Sequence, residues 1–409
     1  MRSILQKFYH ITARAFLAVI VLPVLWLVDP FWRFRLGLLH YQRIGHLAAN
    51  TDAFLRRQQL DGKPKRTTYI FVAHDPANRQ LFEMYRRHLN IIESRVLSSL
   101  FFIWQPMMKE TRFWERMPWG SIDIRRFHLM NHTTKTLAFT PEEEARGKAA
   151  LADMGIGEND WFVCFHARDG AYFRQWRPQY EDHWASRDFK NCHIENYIKA
   201  AEYIAEQGGY AIRMGAFTDM PLPENLHPRV IDYATKHRSD FMDIYLGASC
   251  RFFLASSSGI NMIPMIFDKP IALANNYLST MGIYHSYDLV SLRRIRERAT
   301  GNVVSFRKAI DEGFFSASIG SSQSGKMEVF EFIENTPDEI LDLTIDMMDQ
   351  LDGKAPDPEA AALQKRYADE YLSHHEDYTF ASRISPRFVT RHRDLLFPDD
   401  VPSELASSA

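Results

Sequence analysis

The sequence contains few cysteines and almost no net charge. Among 409 residues there are three cysteines, none of them in a C-x-x-C pair: Cys164, Cys192 and Cys250. This spacing argues against a zinc knuckle or a disulfide scaffold, and sparse thiols are typical of a reducing compartment. The 49 Lys and Arg residues are balanced by 51 Asp and Glu residues, giving a net charge of -2. Because no overall positive field attracts phosphates, we expect no nucleic-acid partner.

Several common catalytic motifs are also missing. The chain has no G-x-x-x-x-G-K-[ST] loop, no G-x-G-x-x-G after a strand, no G-x-S-x-G elbow and no H-E-x-x-H pair. These absences argue against a P-loop ATPase, a standard dinucleotide site, an α/β-hydrolase and a zinc protease. No D-x-D follows a predicted strand either. We therefore expect neither a metal nor a cofactor.

The composition is that of a folded protein with large cores, since 46% of the residues are hydrophobic and 13% aromatic. Short apolar runs alternate with helical segments, a pattern that predicts parallel sheets covered on both faces. The predicted fold is α/β, with two Rossmann-like doubly wound domains after a short hydrophobic segment. The predicted ranges are a membrane-associating segment (1–33), two α/β domains (34–154 and 155–351), and a linker, helix and tail that pack back on the body (352–409).

The N-terminal segment is apolar but short. Ala15 to Val28 contains no charged residue, whereas a straight membrane span needs about 20 apolar residues. No small-residue cleavage site follows it, and Pro23 predicts a kink. Trp26 and Trp32 are suited to a membrane interface. We predict a membrane-embedded or re-entrant anchor, the alternative being a buried core helix.

The elements of both domains are predicted from periodicity and turn residues. Strands are predicted over 36–41, 68–73, 161–165, 210–214, 230–234, 251–255 and 270–274. Helices are predicted over 47–58, 79–89, 141–154, 196–207, 240–248, 259–267 and 359–373. The stretch 97–104 fits either a strand or a buried helix, and 403–409 is predicted to be a frayed tail.

Polar residues follow several of these strands, and ligands of open α/β sheets bind at the carboxyl ends of the strands. His166, Arg168 and Asp169 follow the run WFVCF. An arginine fork matches phosphate oxygens, but a surface ion pair between Arg168 and Asp169, or a core histidine, is an open alternative. Further candidates at strand ends or helix starts are Arg213, Gly215, Asp232, Ser239 and Asp240, with Arg213 equally suited to pair with Asp232 or Asp240.

The run RFFLA is followed by a turn rich in hydroxyl groups. Its residues are Ser256, Ser257, Ser258 and Gly259, with Asn261 in the helix predicted to begin there. Free backbone N–H groups and a helix dipole favour a phosphate at such a junction. A plain helix cap with a glycine turn explains the same residues. In the N-terminal half, Arg43, Gly45 and His46 form a similar turn, where His46 is a candidate base.

These motifs together resemble a known family. HARDG, YAIRMG, VIDYA, SDFMDIYLGASCRFFLASSSGINMIP and RIGHLAAN are similar to bacterial glycosyltransferases of the GT-B type, distantly related to fucosyltransferases that use a GDP-sugar. The resemblance implies an acceptor-side first domain, which contains Arg43, Gly45 and His46. It also implies a second domain that binds a nucleotide-sugar donor, with GDP-sugars among the candidate donors.

The resemblance also implies roles for individual residues. His166 and Arg168 match an H-x-R motif whose arginine binds the β-phosphate of the donor, and Asp169 stands where a second arginine often occurs. Ser256 to Gly259 match the phosphate-binding turn, and Asp232 or Asp240 lies where base or ribose contacts are expected. Catalysis without a metal requires positive groups that stabilise the leaving diphosphate. His46 or Asp169 would then accept the proton of the acceptor hydroxyl.

The predicted function is transfer of a sugar to a glycan or lipid-linked acceptor in bacterial surface polysaccharide synthesis. The predicted location is the cytoplasmic face of the inner membrane, with the N-terminus at the membrane surface. Two alternatives remain open: an epimerase or hydrolase of nucleotide-sugars on the same fold, and a non-catalytic scaffold of a polysaccharide assembly complex. Product formation without an acceptor distinguishes the first alternative, and absence of nucleotide binding distinguishes the second.

Overall fold

A computed structural model describes residues 2–118, 125–171, 174, 190–218, 220–277, 285–312, 314, 326–372 and 383–400. It separates into two compact units. The first unit comprises Met1–Asp123 with His132–Phe139, and the second comprises Ile124–Asn131 with Thr140–Ala409. The predicted tail at 403–409 lies outside the described residues, as does the last residue of the helix predicted over 359–373.

The chain begins with a continuous helix that contains one irregular turn. Its parts are α1 (Arg2–Phe16), a π-helical turn (Leu17–Val21) and α2 (Leu22–Val28). Pro23 has no N–H to donate, and the widened turn directly before it accommodates this lost hydrogen bond. The N–H of Leu22 donates to the carbonyl of Leu17 instead.

The first unit contains a parallel sheet with helices between its strands. The strands are β1 (Arg33–Leu38), β2 (Thr67–Ala73) and β3 (Asn90–Glu93), paired in that order. The helices that follow them are α3 (Ile44–Asp61), α4 (Arg79–Arg86) and α5 (Arg95–Met108). The stretch 97–104 is therefore helical, and the Ser94 side chain caps it by accepting a hydrogen bond from the N–H of Leu97.

The second unit is built on a larger parallel sheet. In its described part, the strands of this sheet are β4 (Phe162–His166), β5 (Tyr210–Arg213), β6 (Val230–Ile231), β7 (Phe253–Ala255), β8 (Ile271–Asn276), β9 (Leu289–Leu292) and β13 (Arg383–Ile384). Their order is β13-β9-β8-β7-β4-β5-β6, with every pairing parallel. The chain leaves β4 toward β5 and β6, then returns to β7 on the other side of β4. Such a reversal opens a crevice at the carboxyl ends of the two central strands.

A small antiparallel sheet accompanies the large one, and sequence analysis missed it. Its strands are β10 (Arg294–Glu297), β11 (Val303–Val304) and β12 (Phe330–Ile333). The remaining α-helices of the described chain are α6 (Arg125–His132), α7 (Pro141–Asp153), α8 (Ile198–Glu206), α9 (Tyr233–Lys236), α10 (Asp240–Ser249), α11 (Met262–Ile266), α12 (Phe306–Asp311), α13 (Lys326–Val329), α14 (Pro337–Leu351), α15 (Pro358–Tyr367), α16 (Pro386–Arg391) and α17 (Arg393–Leu396).

The predicted α/β fold with parallel sheets and an apolar N-terminal helix is confirmed, but several boundaries were wrong. The strand expected over 36–41 is β1 (Arg33–Leu38), and a turn at Tyr41 and Gln42 follows it. The strand expected over 230–234 ends at Ile231, and the short helix α9 follows. The helix expected over 259–267 is a single 3-10 turn, Gly259–Asn261, followed by the five-residue helix α11.

Candidate functional site

His166 is the last residue of β4, at the crevice of the large sheet. Its Nδ1 lies 2.9 Å from the carbonyl oxygen of Met214. Since a carbonyl only accepts hydrogen bonds, Nδ1 carries the proton and Nε2 the lone pair. Burial and the positive charges of Arg213 and Arg168 lower the pKa of His166 to about 4, although the bond to Met214 opposes the shift. His166 is therefore neutral at pH 7 and offers Nε2 as a hydrogen-bond acceptor.

Arg168 has a backbone fixed from two sides. Its N–H donates to Ser256 Oγ over 2.8 Å, and its carbonyl accepts from the N–H of Cys192 over 2.7 Å. Asp169 Oδ1 accepts from the N–H of Ala171 at 3.0 Å, which makes a local turn after β4. These bonds fix the backbone of Arg168 just beyond the carboxyl end of β4.

The serine turn after β7 has a buried, structural side and a more exposed side. Ser256 accepts the Arg168 N–H at Oγ, and its carbonyl accepts from Asn261 Nδ2 at 2.8 Å. Ser257 and Ser258 are partly exposed and Gly259 is exposed. Because the helix that follows is short, the dipole contribution expected from the sequence is small. The candidate phosphate-binding groups of this turn are therefore the hydroxyl and backbone N–H groups of Ser257 to Gly259.

Arg213 and Asp232 are buried against each other. Arg213 Nη1 donates to the carbonyl of Met220 at 2.7 Å and lies 3.4 Å from Asp232 Oδ2, which also accepts the N–H of Leu222 at 2.9 Å. This is the pairing that the sequence left open. Among the described residues, the buried Asp232 Oδ1 has no hydrogen-bond partner, so a ligand N–H or O–H can satisfy it.

Gly215 allows the chain to pass close to His166. A Cβ at this position would lie 3.9 Å from His166 Nδ1 and 3.0 Å from the Thr218 side chain. A side chain at this position would therefore crowd Thr218, whereas its distance to His166 is that of an ordinary van der Waals contact.

Ser239 and Asp240 begin α10 beside the edge strand β6. Ser239 Oγ caps the helix by accepting from the N–H of Met242 at 3.2 Å, and Asp240 lies 3.3 Å from Arg238. Arg238 also contacts the buried Asp243, whose pKa burial raises to about 6. Because β6 is two strands from β4, roughly 10 Å at ordinary strand spacing, these residues lie at the margin of the crevice.

Sequence analysis missed a second group of positive residues at the same sheet edge. Arg293 follows β9 and Tyr277 follows β8. The Arg293 guanidinium lies 5.6 Å from the Tyr277 ring centre, and the Lys190 ammonium lies 5.9 Å from it. Burial raises the pKa of the Tyr277 hydroxyl, while the charges of Arg293 and Arg168 lower it. Arg168 follows β4 and Arg293 follows β9, three strands away in the same sheet, while Lys190 lies in the segment between β4 and α8.

The signal for Arg293 was present but weak. β9 is the four-residue run LVSL, which contains a serine and was not recognised as a strand. In the structure, Arg293 Nη2 donates to the carbonyl of Asn191 at 2.8 Å and contacts Cys192 Sγ at 2.8 Å. Since Cys192 also holds the carbonyl of Arg168, these contacts couple the two arginines.

The first unit has its own polar cluster at the carboxyl end of its sheet. Arg43 is the N-cap residue of α3, and Gly45 and His46 lie in the first turn. His46 Nδ1 lies 3.2 Å from Asn50 Oδ1, while Asn50 Nδ2 donates to the carbonyl of Pro118. This arrangement assigns the proton to Nδ1 and makes Nε2 the basic nitrogen of His46.

Three more residues of this cluster were not singled out by the sequence. Tyr41 follows β1, and its hydroxyl lies 2.6 Å from Nδ1 of His74, which follows β2. The ring of His40 lies 6.2 Å from that of His46, and burial together with the His46 charge lowers the pKa of His40 to about 4. Within the described residues, no group of three or more His, Cys, Asp or Glu could hold a metal.

No protein-family model matches the chain, and no curated protein matches it. Glycosyltransferases are among the solved structures that it is similar to. One is a family 9 glycosyl transferase of Veillonella parvula, at 12% identity and a TM-score of 0.44, covering 72% of this chain and 95% of that one. Another is an ADP-heptose LPS heptosyltransferase II of Escherichia coli, at 11% identity and a TM-score of 0.46, covering 78% and 100%. Both likenesses are remote, and neither establishes an activity for this chain.

Proposed function

We propose that the chain is a metal-independent glycosyltransferase that moves a sugar from a nucleotide-sugar to a hydroxyl of a glycan or lipid-linked acceptor. The observation that carries this proposal is the positive group at the crevice of the large sheet. Arg168 follows β4, and its backbone is tied to the serine turn after β7. Arg293 follows β9 and reaches the segment after β4 through its contacts with Asn191 and Cys192, and Lys190 lies in that same segment. A diphosphate is the ligand that this arrangement fits.

The second unit stabilises the leaving group in this proposal. As the bond between the sugar C1 and the β-phosphate oxygen breaks, the electron pair stays on the diphosphate. Arg168 and Arg293 neutralise that charge, and Ser257 to Gly259 donate hydrogen bonds to the phosphate oxygens. The groups are fixed before the reaction, so little reorganisation accompanies it. His166 Nε2 and the buried Asp232 Oδ1 accept hydrogen bonds from hydroxyl or N–H groups of the nucleotide.

The transfer also needs a base. The acceptor oxygen forms the new bond to C1, which has oxocarbenium character, and a base accepts the proton of the acceptor hydroxyl. His46, with Nε2 as its basic nitrogen, is the first candidate from the sequence. Asn50 holds the ring of His46 in the required tautomer. Asp169 is the other candidate base from the sequence, and its hydrogen bond to Ala171 favours a role in loop structure instead.

The proposal includes a location at the cytoplasmic face of the bacterial inner membrane, in surface polysaccharide synthesis. Residues Gln6–Val28 form a helix that is long and apolar enough to cross a membrane, with a mean hydropathy of 2.3 in its most apolar window. Core helices and signal sequences meet the same criterion. The helix therefore supports membrane association without fixing the side of the membrane.

The test is nucleotide binding followed by sugar transfer. Purified protein is titrated with GDP, UDP, ADP, CMP and dTDP, and its melting temperature rises with the nucleotide that it binds. GDP is the first to test because of the family resemblance. Arg168→Ala is expected to abolish the shift. Arg251→Ala is the matched control, since Arg251 precedes β7 and its N–H donates to the carbonyl of Phe162 at the opposite edge of the sheet.

Each result decides between the functions. A shift that Arg168→Ala abolishes, with sugar transferred to an acceptor in the presence of EDTA, supports the proposal. Binding with release of free sugar or an epimer and no transfer would favour a hydrolase or epimerase. No binding of any nucleotide would favour a scaffold. Full activity of Arg168→Ala would contradict the phosphate role.

A further inference from the structure

The N-terminal helix lies along the surface of the first unit. Leu17 is 0% exposed, and Ala13, Val21 and Leu25 belong to or pack against the same apolar cluster as Trp104. Trp104 Nε1 donates to the carbonyl of Ala13 at 2.8 Å. The stripe from residue 13 to residue 25 corresponds to about 18 Å of helix. One face of the helix is therefore held by the protein over most of the apolar stretch.

The opposite face of the helix is apolar and exposed. Leu27 is 75% exposed, and the other large exposed side chains of the uncharged stretch are Phe16, Val19, Ile20, Val24 and Trp26. The neighbouring helix α5 continues this character, since Phe102 is 69% exposed and Val96 and Met107 are also exposed. Exposed apolar surface on adjacent helices is unusual for a soluble monomer and indicates a contact partner.

The charges around this apolar face are mostly positive. Residues 2–36 and 95–117 contain nine Lys or Arg against three Asp or Glu. Of the acids, Asp29 is buried and bound by Arg35 at 2.8 Å and Arg112 at 3.2 Å, and Glu110 pairs with Arg116. Arg112 also lies 4.1 Å from the Trp26 ring. An apolar face with tryptophan and an excess of basic residues is complementary to an anionic lipid surface.

We infer that the first unit binds a bilayer through an in-plane anchor, in which the N-terminal helix and the exposed face of α5 enter the same leaflet. To cross the bilayer, the helix would have to detach from the apolar cluster that contains Ala13 and Leu17. The hydrogen bond from Trp104 to the carbonyl of Ala13 would also break. This inference rests on the proposed membrane association. It is independent of sugar transfer, because vesicle binding is measured without donor or acceptor.

The first experiment locates the two ends of the helix. Gln6→Cys and Pro30→Cys variants are bound to preformed phosphatidylcholine vesicles with phosphatidylglycerol, and an impermeant maleimide is added outside. The three native cysteines are buried, so labelling reports the new thiol. Both positions are expected to react without detergent. Protection of either position until detergent is added would overturn the inference.

The second experiment tests the contribution of α5. Phe102→Ser is expected to weaken vesicle binding on the order of tenfold, from the apolar area withdrawn from the lipid. Leu60→Ser is the matched control, because Leu60 is 43% exposed at the end of α3 in the same unit. Circular dichroism verifies that both variants fold. Equal binding of Phe102→Ser and the wild type, or no binding of the wild type to these vesicles, would contradict the in-plane anchor. Loss of nucleotide binding alone would contradict only the proposed transferase.

Discussion

Replacing Ser256 by alanine tests whether the serine turn holds the phosphate-binding arginine. Ser256 is 1% exposed, and its Oγ accepts the N–H of Arg168 at 2.8 Å. Alanine removes the acceptor and leaves the partly buried N–H of Arg168 without this partner. An unsatisfied buried donor costs about 1–3 kcal/mol. We therefore expect the loop after β4 to open more readily while the large sheet remains folded.

Hydrogen exchange measures this opening directly. A cost of that size corresponds to roughly 5- to 150-fold faster exchange of the Arg168 amide, if the local opening governs exchange. The nucleotide that binds the wild type is expected to bind Ser256→Ala more weakly, because the Arg168 guanidinium is no longer held in place. Unfolding by urea gives a second measurement on the same variant.

Ser257→Ala is the control on the neighbouring residue. Ser257 is partly exposed, so its removal is expected to change stability by no more than about 0.5 kcal/mol. Nucleotide affinity should nevertheless fall, because Ser257 is placed among the phosphate-binding groups. Unchanged exchange at Arg168 in Ser256→Ala, or equal exchange in the two variants, would refute the argument that Ser256 positions the arginine.

Three further predictions concern other parts of the chain. Arg293→Gln is expected to weaken nucleotide binding about tenfold by calorimetry, from loss of a charge-assisted contact, and Arg293→Lys to recover part of it. Burial lowers the pKa of His285, but Asp268 and Asp288 raise it to about 9 overall. The stabilisation from this charge is complete below about pH 6.5 and is lost as the pH rises through 9. The urea midpoint of unfolding should therefore depend less on pH between 6 and 9 in His285→Gln than in the wild type. A Cβ on Gly37 would lie 2.7 Å from the Phe71 ring and 2.9 Å from a backbone oxygen, so Gly37→Ala should destabilise the first unit by about 1–3 kcal/mol in urea unfolding.

Features that depend on neighbours in the sequence were predicted correctly. The helix predicted over 141–154 begins at Pro141 in the structure, with a full capping box between Thr140 and Glu143 at the start of α7. The strands β4, β5, β7 and β8 were recognised because each is a buried apolar run, which a covered parallel sheet requires. Such signals need no knowledge of the rest of the fold.

Features that depend on distant partners were not predictable. The run VIDYA has the composition of a strand, yet α9 begins at Tyr233, and the Tyr233 hydroxyl donates to the buried Asp243 at 2.8 Å. Arg213 was suited to Asp232 or to Asp240, and only the packing of the chain selects Asp232. Arg293 was missed because its strand is short and because its partners, Asn191 and Cys192, lie about a hundred residues earlier.

The charge at the candidate phosphate site is carried by arginine and lysine rather than by histidine. His166 is neutral above a pKa of about 4, so its proton contributes nothing to anion binding at pH 7. Glu334, an acid near Arg293, is hydrogen-bonded to His193. The backbone N–H of His193 donates to Glu334 Oε2 at 3.0 Å, and His193 Nδ1 lies 2.8 Å from Glu334 Oε1. Arginine side chains stay charged between pH 5 and 8, so the positive charge of Arg168 and Arg293 is constant in this range. A free nucleoside diphosphate gains its last negative charge near pH 6, whereas the diphosphate of a nucleotide-sugar does not. Affinity for the product should therefore rise through pH 6 while affinity for the donor stays level, which follows from a site whose positive groups do not titrate in this range.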